Sequence, residues 1–455
     1  MKKHVGRLKV MFGASDVGTL ALSDKGQLFF QYTPQWLAEG FDLAPRSLAF
    51  NALLQKAKDP LFDGLHGVFN DSLPDGWGLL LMDRAFNKRL GWSRHQITPL
   101  DRLAYMGSRA MDALRYEPEY EKEAVEDRVN LSSLAASVET VLSGSTEDVF
   151  NQLRIQGGSP GGARPKVTVA LSESASDCLS GFHDIPEGYH HWMVKFRSKE
   201  DPQDMGPAEK TYADMAKIAG LDMPQTALLQ VKVGSTEEQY FAVRRFDRHA
   251  NERRHVVTMA GLYYADFKTP CLDYKDILGA TSILTKDARQ VEQAFRRMAF
   301  NVLTHNQDDH AKNFAFVYGA NGWALSPAYD LTFSQGMGGE HTTAIAGSGN
   351  PGRDKLMEIA SAFRVEAGAK IIEEVRHAVS LWPTLAQGND VSKKTRQAVG
   401  DALQKIDRRF LLLHAMHAET SHGLDAFVGC LPPPAHALSI EDMNVLNSGA
   451  KVRKN

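Results

Sequence analysis

At 455 residues the chain is longer than one hydrophobic core ordinarily serves, and its 43% apolar content is enough to build two or three packed subdomains. A formal net charge of −3 excludes a chain that binds polyanions over its whole surface, and three widely spaced cysteines, Cys178, Cys271 and Cys430, exclude a disulfide framework and a CxxC zinc site. No run of about 18 apolar residues occurs, and the charged N-terminus leads into no apolar signal-peptide core, which together predict a cytoplasmic protein with no membrane partner.

Apolar runs at 8–12, 18–22 and 27–32, separated by turn residues such as Asp24-Lys25-Gly26, predict a small antiparallel meander. Helical spacing follows at 48–54 and 77–86, the second entered through the turn-rich Asp71-Ser72-Leu73-Pro74-Asp75-Gly76. Residues 1–115 therefore read as an α+β subdomain. The charged stretch at 117–127 has no apolar stripe and marks 116–150 as a linker or helical segment. Within 151–275, strands are predicted at 166–171, 191–196, 226–233 and 240–246, with a helix at 208–219 stopped by Gly220. Helices dominate 276–455, notably 288–305 and much of 355–417, around a hairpin at 314–318 and 323–325 turned through Asn321-Gly322. The basic tail, Lys451, Arg453 and Lys454, reads as a solvated end, and 432–434 as a stiff surface turn.

Phosphoryl transfer needs a carboxylate to orient the acceptor, hard ligands for a metal, a cation on the phosphates and a backbone loop to cover them. In Asn306-Gln307-Asp308-Asp309-His310-Ala311-Lys312-Asn313, Asp308 and Asn313 have the Asp-x4-Asn spacing of kinase catalytic loops. Asp309 stays open as an alternative base. The hairpin then delivers Ser326-Pro327-Ala328-Tyr329-Asp330, with Asp330 where a metal-binding aspartate would lie. Lys195 sits in an otherwise apolar strand, where an ammonium needs an anion, either a phosphate or Glu209 of the following helix. Four glycines among residues 157–162 allow close backbone approach to phosphates, although the run is not a Walker A motif. Turn-capping polar residues, an edge-strand lysine and a flexible linker are the plainer readings of the same residues.

The segment Ser159-Pro160-Gly161-Gly162-Ala163-Arg164-Pro165-Lys166, then Val194-Lys195-Phe196, Arg245-Phe246-Asp247-Arg248, Asp308 to Asn313 followed by Phe314, and Tyr329-Asp330-Leu331 resemble the HipA-family kinases in order and spacing. Residues 30–37 and 69–76 resemble that family's N-terminal signatures. The resemblance implies an α+β fold: a protein-kinase-like bilobal core, an N-terminal β-meander and helical subdomain, and a helical C-terminal lobe. It implies a Ser/Thr protein kinase that uses ATP and Mg²⁺, acting as a toxin on a protein substrate of translation such as an aminoacyl-tRNA synthetase. Its partner would be a helix-turn-helix antitoxin of the HipB type, with DNA reached only through that partner.

By motif match, Asp308 is the base, and Asn313 and Asp330 hold the metal. Gly161, Gly162, Ala163, Arg164 and Lys166 line the phosphates with Lys195, and Ser159 is the site of inhibitory autophosphorylation. Arg244, Arg245 and Phe246 lie where relatives bind adenine through the main chain. Many relatives carry Glu in place of Arg244, which leaves only backbone contact there. His310 and Lys312 complete the nucleotide-contacting set, His310 ordering the loop by hydrogen bonding. A small-molecule kinase of the aminoglycoside-kinase type and a non-catalytic co-repressor of an antitoxin are the competing readings.

Overall fold

Leu8 and Val10 are buried while Arg7 and Lys9 are exposed, the period of two that puts one face of a strand on a core. This computed structural model describes residues 4–57, 61–120, 128–142, 162, 164–175, 177–198 and 201–425, with backbone alone beyond 410. Ser159, Gly161, Ala163, Cys430, the prolines at 432–434, the basic tail and most of the charged stretch at 117–127 lie outside the described residues. Two units divide the chain, Met1–Asp407 and Arg408–Asn455; the first carries all the sites below, and the described part of the second is helical.

The expected meander forms. Strands β1 (Arg7–Phe12), β2 (Ser15–Leu22), β3 (Leu28–Tyr32), β4 (Gln55–Lys56) and β5 (Leu114–Glu117) make an antiparallel sheet ordered β4-β3-β2-β1-β5. The helix expected at 48–54 does not form. Asn51 accepts from the Leu53 N–H at 3.0 Å, and the Gln55 side chain bonds both the N–H and the carbonyl of Ala49, at 2.8 and 2.7 Å. These local bonds take backbone groups that a helix would need. Around the sheet lie helices α1 (Pro34–Glu39), α2 (Gly67–Asn70), α3 (Gly76–Leu90) and α4 (Pro99–Met106).

Helix α5 (Leu131–Leu142) occupies the stretch read as a linker. Leu134, Val138 and Val141 give it a buried stripe at helical spacing. A second antiparallel sheet, ordered β7-β6-β8-β10-β9, comprises β6 (Lys166–Ser172), β7 (Cys178–Ser180), β8 (Tyr189–Lys195), β9 (Thr226–Val233) and β10 (Thr236–Arg244), with helix α6 (Met205–Ile218) packed across β9 and β10. One hydrophobic core unites Trp77 and Leu81 of α3, Val138 of α5, and Val167, Val194 and Tyr240 of this sheet. That core crosses the expected boundaries at 115 and 150, so the N-terminal region is packed against the second sheet and not merely tethered to it.

A short hairpin, β11 (Arg248–His249) and β12 (Glu252–Arg253), precedes β13 (His255–Thr258). Strand β14 (Leu272–Asp273) comes next along the chain, before the expected hairpin, β15 (Ala315–Gly319) and β16 (Gly322–Leu325). Strand β13 pairs with β15, so residues 255–258 belong with the helical region beyond the boundary expected at 275. That region contains α7 (Met259–Tyr263), α8 (Tyr274–Thr285) and α9 (Ala288–Leu303), followed by helices at Arg353–Ala362, Gly368–Ser380, Trp382–Gly388 and Lys393–Asp425.

The N-terminal region docks on this lobe too. A Cβ placed on Gly67 would lie 2.2 Å from the Gly261 carbonyl oxygen, so only glycine permits that approach of α2 to α7. Asp71 accepts from the Thr258 N–H and hydroxyl at 2.8 and 2.7 Å. Arg245, Arg248 and Arg253 donate to carbonyls of Ser108, Ala110, Met111 and Asp112, and Arg245 and Arg248 also pair with the buried Asp247.

Burial opposes ionisation of Asp247, but Arg245 and Arg248 outweigh it and hold its carboxyl down at about 2. A depressed carboxyl stabilises the fold above its unfolded value, about pH 4, and that contribution fades as pH falls toward the folded value. The D247N variant is therefore expected to melt well below wild type near neutrality. The gap should narrow in thermal scans as the pH is lowered toward about 2.

Candidate active site

Antiparallel pairing of β6 with β8 sets Lys166 directly opposite Lys195. Two ammonium groups side by side repel, so the surroundings must supply anions. Helix α6 supplies one. Its Gly206 lies so near β10 that a Cβ would stand 2.4 Å from the Gln239 carbonyl oxygen, and Glu209, one turn on, hydrogen-bonds the Lys195 ammonium. The other is Asp330, whose Oδ1 accepts from Lys195 at 2.6 Å. Asp330 has φ +56°, a left-handed conformation that aspartate tolerates better than most residues.

The charges interlock. Burial alone would lower the pKa of Lys195, but Asp330 and Glu209 raise it above the ordinary lysine value. Lys195 holds the Asp330 carboxyl well below the usual carboxylate range. Burial raises Glu209 despite the lysine beside it, and burial, with repulsion from Lys195, lowers Lys166. The site is poised to exchange one set of anions for another.

The Asp-x4-Asn loop follows α9. Asn306 Nδ2 donates to Asn301 Oδ1 at 3.0 Å, and the Asp308 N–H donates to Ser334 Oγ at 3.2 Å. Asn313 Nδ2 donates to the Asp308 carbonyl at 2.8 Å, which ties the two ends of the Asp-x4-Asn span together. Asp308 reaches solvent, yet the protein around its carboxyl raises its pKa; His310 opposes the shift, while the charges of Asp330 and Asp309 reinforce it. Asp309 is fully buried. It accepts from the Tyr274 hydroxyl and from His341 Nδ1, each at 2.9 Å, and from the Thr343 N–H at 3.2 Å. Of the two adjacent carboxylates, Asp309 is engaged on all sides by the fold and Asp308 faces outward.

Other expected residues are placed less simply. Gly162 has φ +100°, and a Cβ there would sit 2.5 Å from Lys166 Nζ. Arg164 lies 3.4 Å from Asp201. The N–H groups of Arg244 and Arg245 donate to the carbonyls of Gln225 and His191, at 2.8 and 2.9 Å. The side chain of Arg245 is held by Asp247 and Met111, and that of Arg244 meets His190 Nδ1 at 2.9 Å. Phe246, next in the chain, stacks on Tyr329 at 5.5 Å.

His310 does not order the loop through its ring. Its Nδ1 is buried with no hydrogen-bond partner among the described residues, and the ring packs against Phe267 at 5.7 Å. The loop is ordered instead by Asn306, Asp309 and Asn313, and by the His310 carbonyl, which accepts from the Asn313 N–H at 2.8 Å. Lys312 points to Asp75 of the N-terminal region, at 2.8 Å. Asp75 reads in the sequence as a turn residue before a helix, within the 69–76 stretch that resembles the family's N-terminal signature, and nothing local assigns it to the site.

Comparison with known proteins covers most of the chain. The HipA N-terminal domain model matches residues 8–117, and the HipA-like C-terminal domain model matches residues 158–382. Y4dM of Sinorhizobium fredii, described as a kinase, is 32% identical over 168 residues, which is 34% of this chain and 40% of that protein. Toxin YjjJ of Escherichia coli is 23% identical over 261 residues, 55% of this chain and 53% of that protein. The chain thus matches about half or less of the length of these curated relatives. A chain from the Shewanella oneidensis complex of HipA, HipB and operator DNA superposes with a TM-score of 0.63 at 15% identity, covering 89% of this chain and 96% of that one, which shows a shared fold.

Replacing Lys195 by Met strands Glu209 and Asp330 beside each other without their cation. Urea denaturation near neutral pH is expected to show a loss of about 3–5 kcal/mol. The loss should shrink in acid, where Glu209, already raised by burial, takes up a proton.

Proposed function

Because this chain belongs to the HipA family, we propose that it is an ATP-dependent serine/threonine protein kinase acting as the toxin of a toxin–antitoxin pair. The observation that carries the reading is the Lys195 ammonium held between Glu209 and Asp330, with Lys166 opposite it. On this reading the triphosphate of ATP lies against the two lysines and Gly162, and the base of the nucleotide lies toward the carbonyls of 244–245 and Phe246.

The donor set suits a hard cation. Asn313 uses its amide nitrogen on the Asp308 carbonyl, which leaves the oxygen as the ligating end, and Asp330, held ionised by Lys195, is a second hard oxygen donor. Asn313 and Asp330 would hold Mg²⁺, which neutralises charge on the phosphates. Asp308 orients the acceptor hydroxyl and takes its proton as the new P–O bond forms to the γ-phosphorus. The bond from that phosphorus to the bridging oxygen breaks, and the negative charge leaves on ADP. A raised carboxyl pKa at Asp308 suits a group that must accept a proton near neutrality.

The acceptor is a serine or threonine of a cytoplasmic protein, in the first place one of translation such as an aminoacyl-tRNA synthetase, together with Ser159 of the chain itself. A phosphate on Ser159 would add about two negative charges to the glycine-rich segment, a sign of charge that disfavours the binding of ATP. A HipB-type antitoxin is the partner, and operator DNA is met through it. No helix among the described residues is long and apolar enough to cross a membrane.

Incubation with labelled Mg·ATP is expected to label Ser159 and at least one lysate protein. The D308A variant should lose label by roughly a hundredfold or more while keeping its fold. ATP turnover that depends on a small metabolite, with no labelled protein, would overturn the reading in favour of a small-molecule kinase.

A further inference from the structure

Asp75 begins helix α3 as its N-cap residue, a place where aspartate ordinarily accepts from the N–H groups of its own helix and contributes about 1 kcal/mol. Here its side chain makes no such bond. Its Oδ2 lies 2.8 Å from Lys312 Nζ, and its Oδ1 accepts from the Gly162 N–H. Two residues on, the Trp77 N–H donates to the Gly162 carbonyl at 3.1 Å. Both backbone polar groups of Gly162 are therefore held by residues 75–77, at the end of the glycine-rich segment.

Lys312 is enclosed as well. Its ammonium stands 4.3 Å from the centre of the Phe267 ring, and the side chains of Lys312 and Asp75 are only 14% and 15% exposed, so the pair is little screened. Its carbonyl accepts from the Tyr329 hydroxyl at 2.6 Å, and the residues next in sequence to Lys312 and Tyr329 are Asn313 and Asp330. One carboxylate from the N-terminal region thus touches the glycine segment and the catalytic loop together, and through Tyr329 reaches the segment after the hairpin that carries Asp330.

We infer that Asp75 is a positioning residue of the phosphate site, which holds Lys312 and Gly162 in register so that the two walls of the site are set by the N-terminal region. The inference rests on the kinase reading above. Asp75 touches no reacting group in that reading; it acts through Lys312 and Gly162.

The test is a double-mutant cycle in full-length protein, with kcat and KM for ATP measured in autophosphorylation for wild type, D75N, D75E, K312M and D75N/K312M, beside melting without nucleotide. Expected are a KM for ATP raised roughly tenfold in D75N with a smaller change in kcat, and partial recovery in D75E. Melting of D75N should fall no further than that of K312M, and the double variant should be no worse than K312M alone. An unchanged KM in D75N overturns the inference, and so do D75N and K312M effects that simply multiply. A D75N protein that melts far below K312M also overturns it, because Asp75 then serves the fold beyond its hold on Lys312. A wild type with no Mg·ATP-dependent labelling sinks the kinase reading and this inference with it, whereas an active wild type with an indifferent D75N sinks the inference alone.

Discussion

The Lys195 ammonium is enclosed by protein, where a cation without partners would cost several kcal/mol. Its two carboxylates come from places far apart in the chain: Glu209 lies on α6, and Asp330 follows the hairpin β15–β16. Strand, helix and post-hairpin segment are therefore held together by one charge, and the geometry of the site depends on that charge being satisfied. Lys166 across the strand pair adds a second cation. The result is a concentrated cluster of two lysines and two carboxylates.

The N-terminal region takes part in this arrangement as structure, not as an appendage. Trp77 and Leu81 share a core with Val167 and Val194, three arginines grip the carbonyls of 108–112, and Gly67 lies against Gly261. The two family models match separate stretches of the chain, 8–117 and 158–382, but in three dimensions these stretches are interleaved. Interfaces built this way are not expected to hinge freely, because buried apolar area and charged hydrogen bonds would be broken together. Through Asp75 the N-terminal region also touches Lys312 and Gly162 directly.

Where chemistry was concentrated within a few residues, it could be read before folding was considered. Asp308 and Asn313 are joined by one hydrogen bond across their own span, and Lys195 meets the glutamate one element further on. Strands with strong alternation, such as β1 and β3, were legible for the same reason. Local pattern failed where local bonds competed with it, as at 48–54, where Asn51 and Gln55 bind the backbone. It was silent on the Arg245 side chain, which turns to Asp247 and the N-terminal region, and on the His310 ring, which packs on Phe267 with its Nδ1 lacking a hydrogen-bond partner among the described residues.

The amino-acid order by itself determined which residue types meet at what spacing: a lysine inside an apolar strand, an Asp-x4-Asn loop, a hairpin and a second aspartate. Those features arise from period, turn chemistry and short separations along one chain. Which of two neighbouring carboxylates faces outward was decided by Tyr274, His341 and Thr343, which close around Asp309 and leave Asp308 free of that network. Asp75 was likewise assigned by contact alone. An N-cap aspartate that leaves its own helix uncapped to meet Lys312, 237 positions away, has no signature in sequence, because its partner is brought there only by the packing of the N-terminal region on the core.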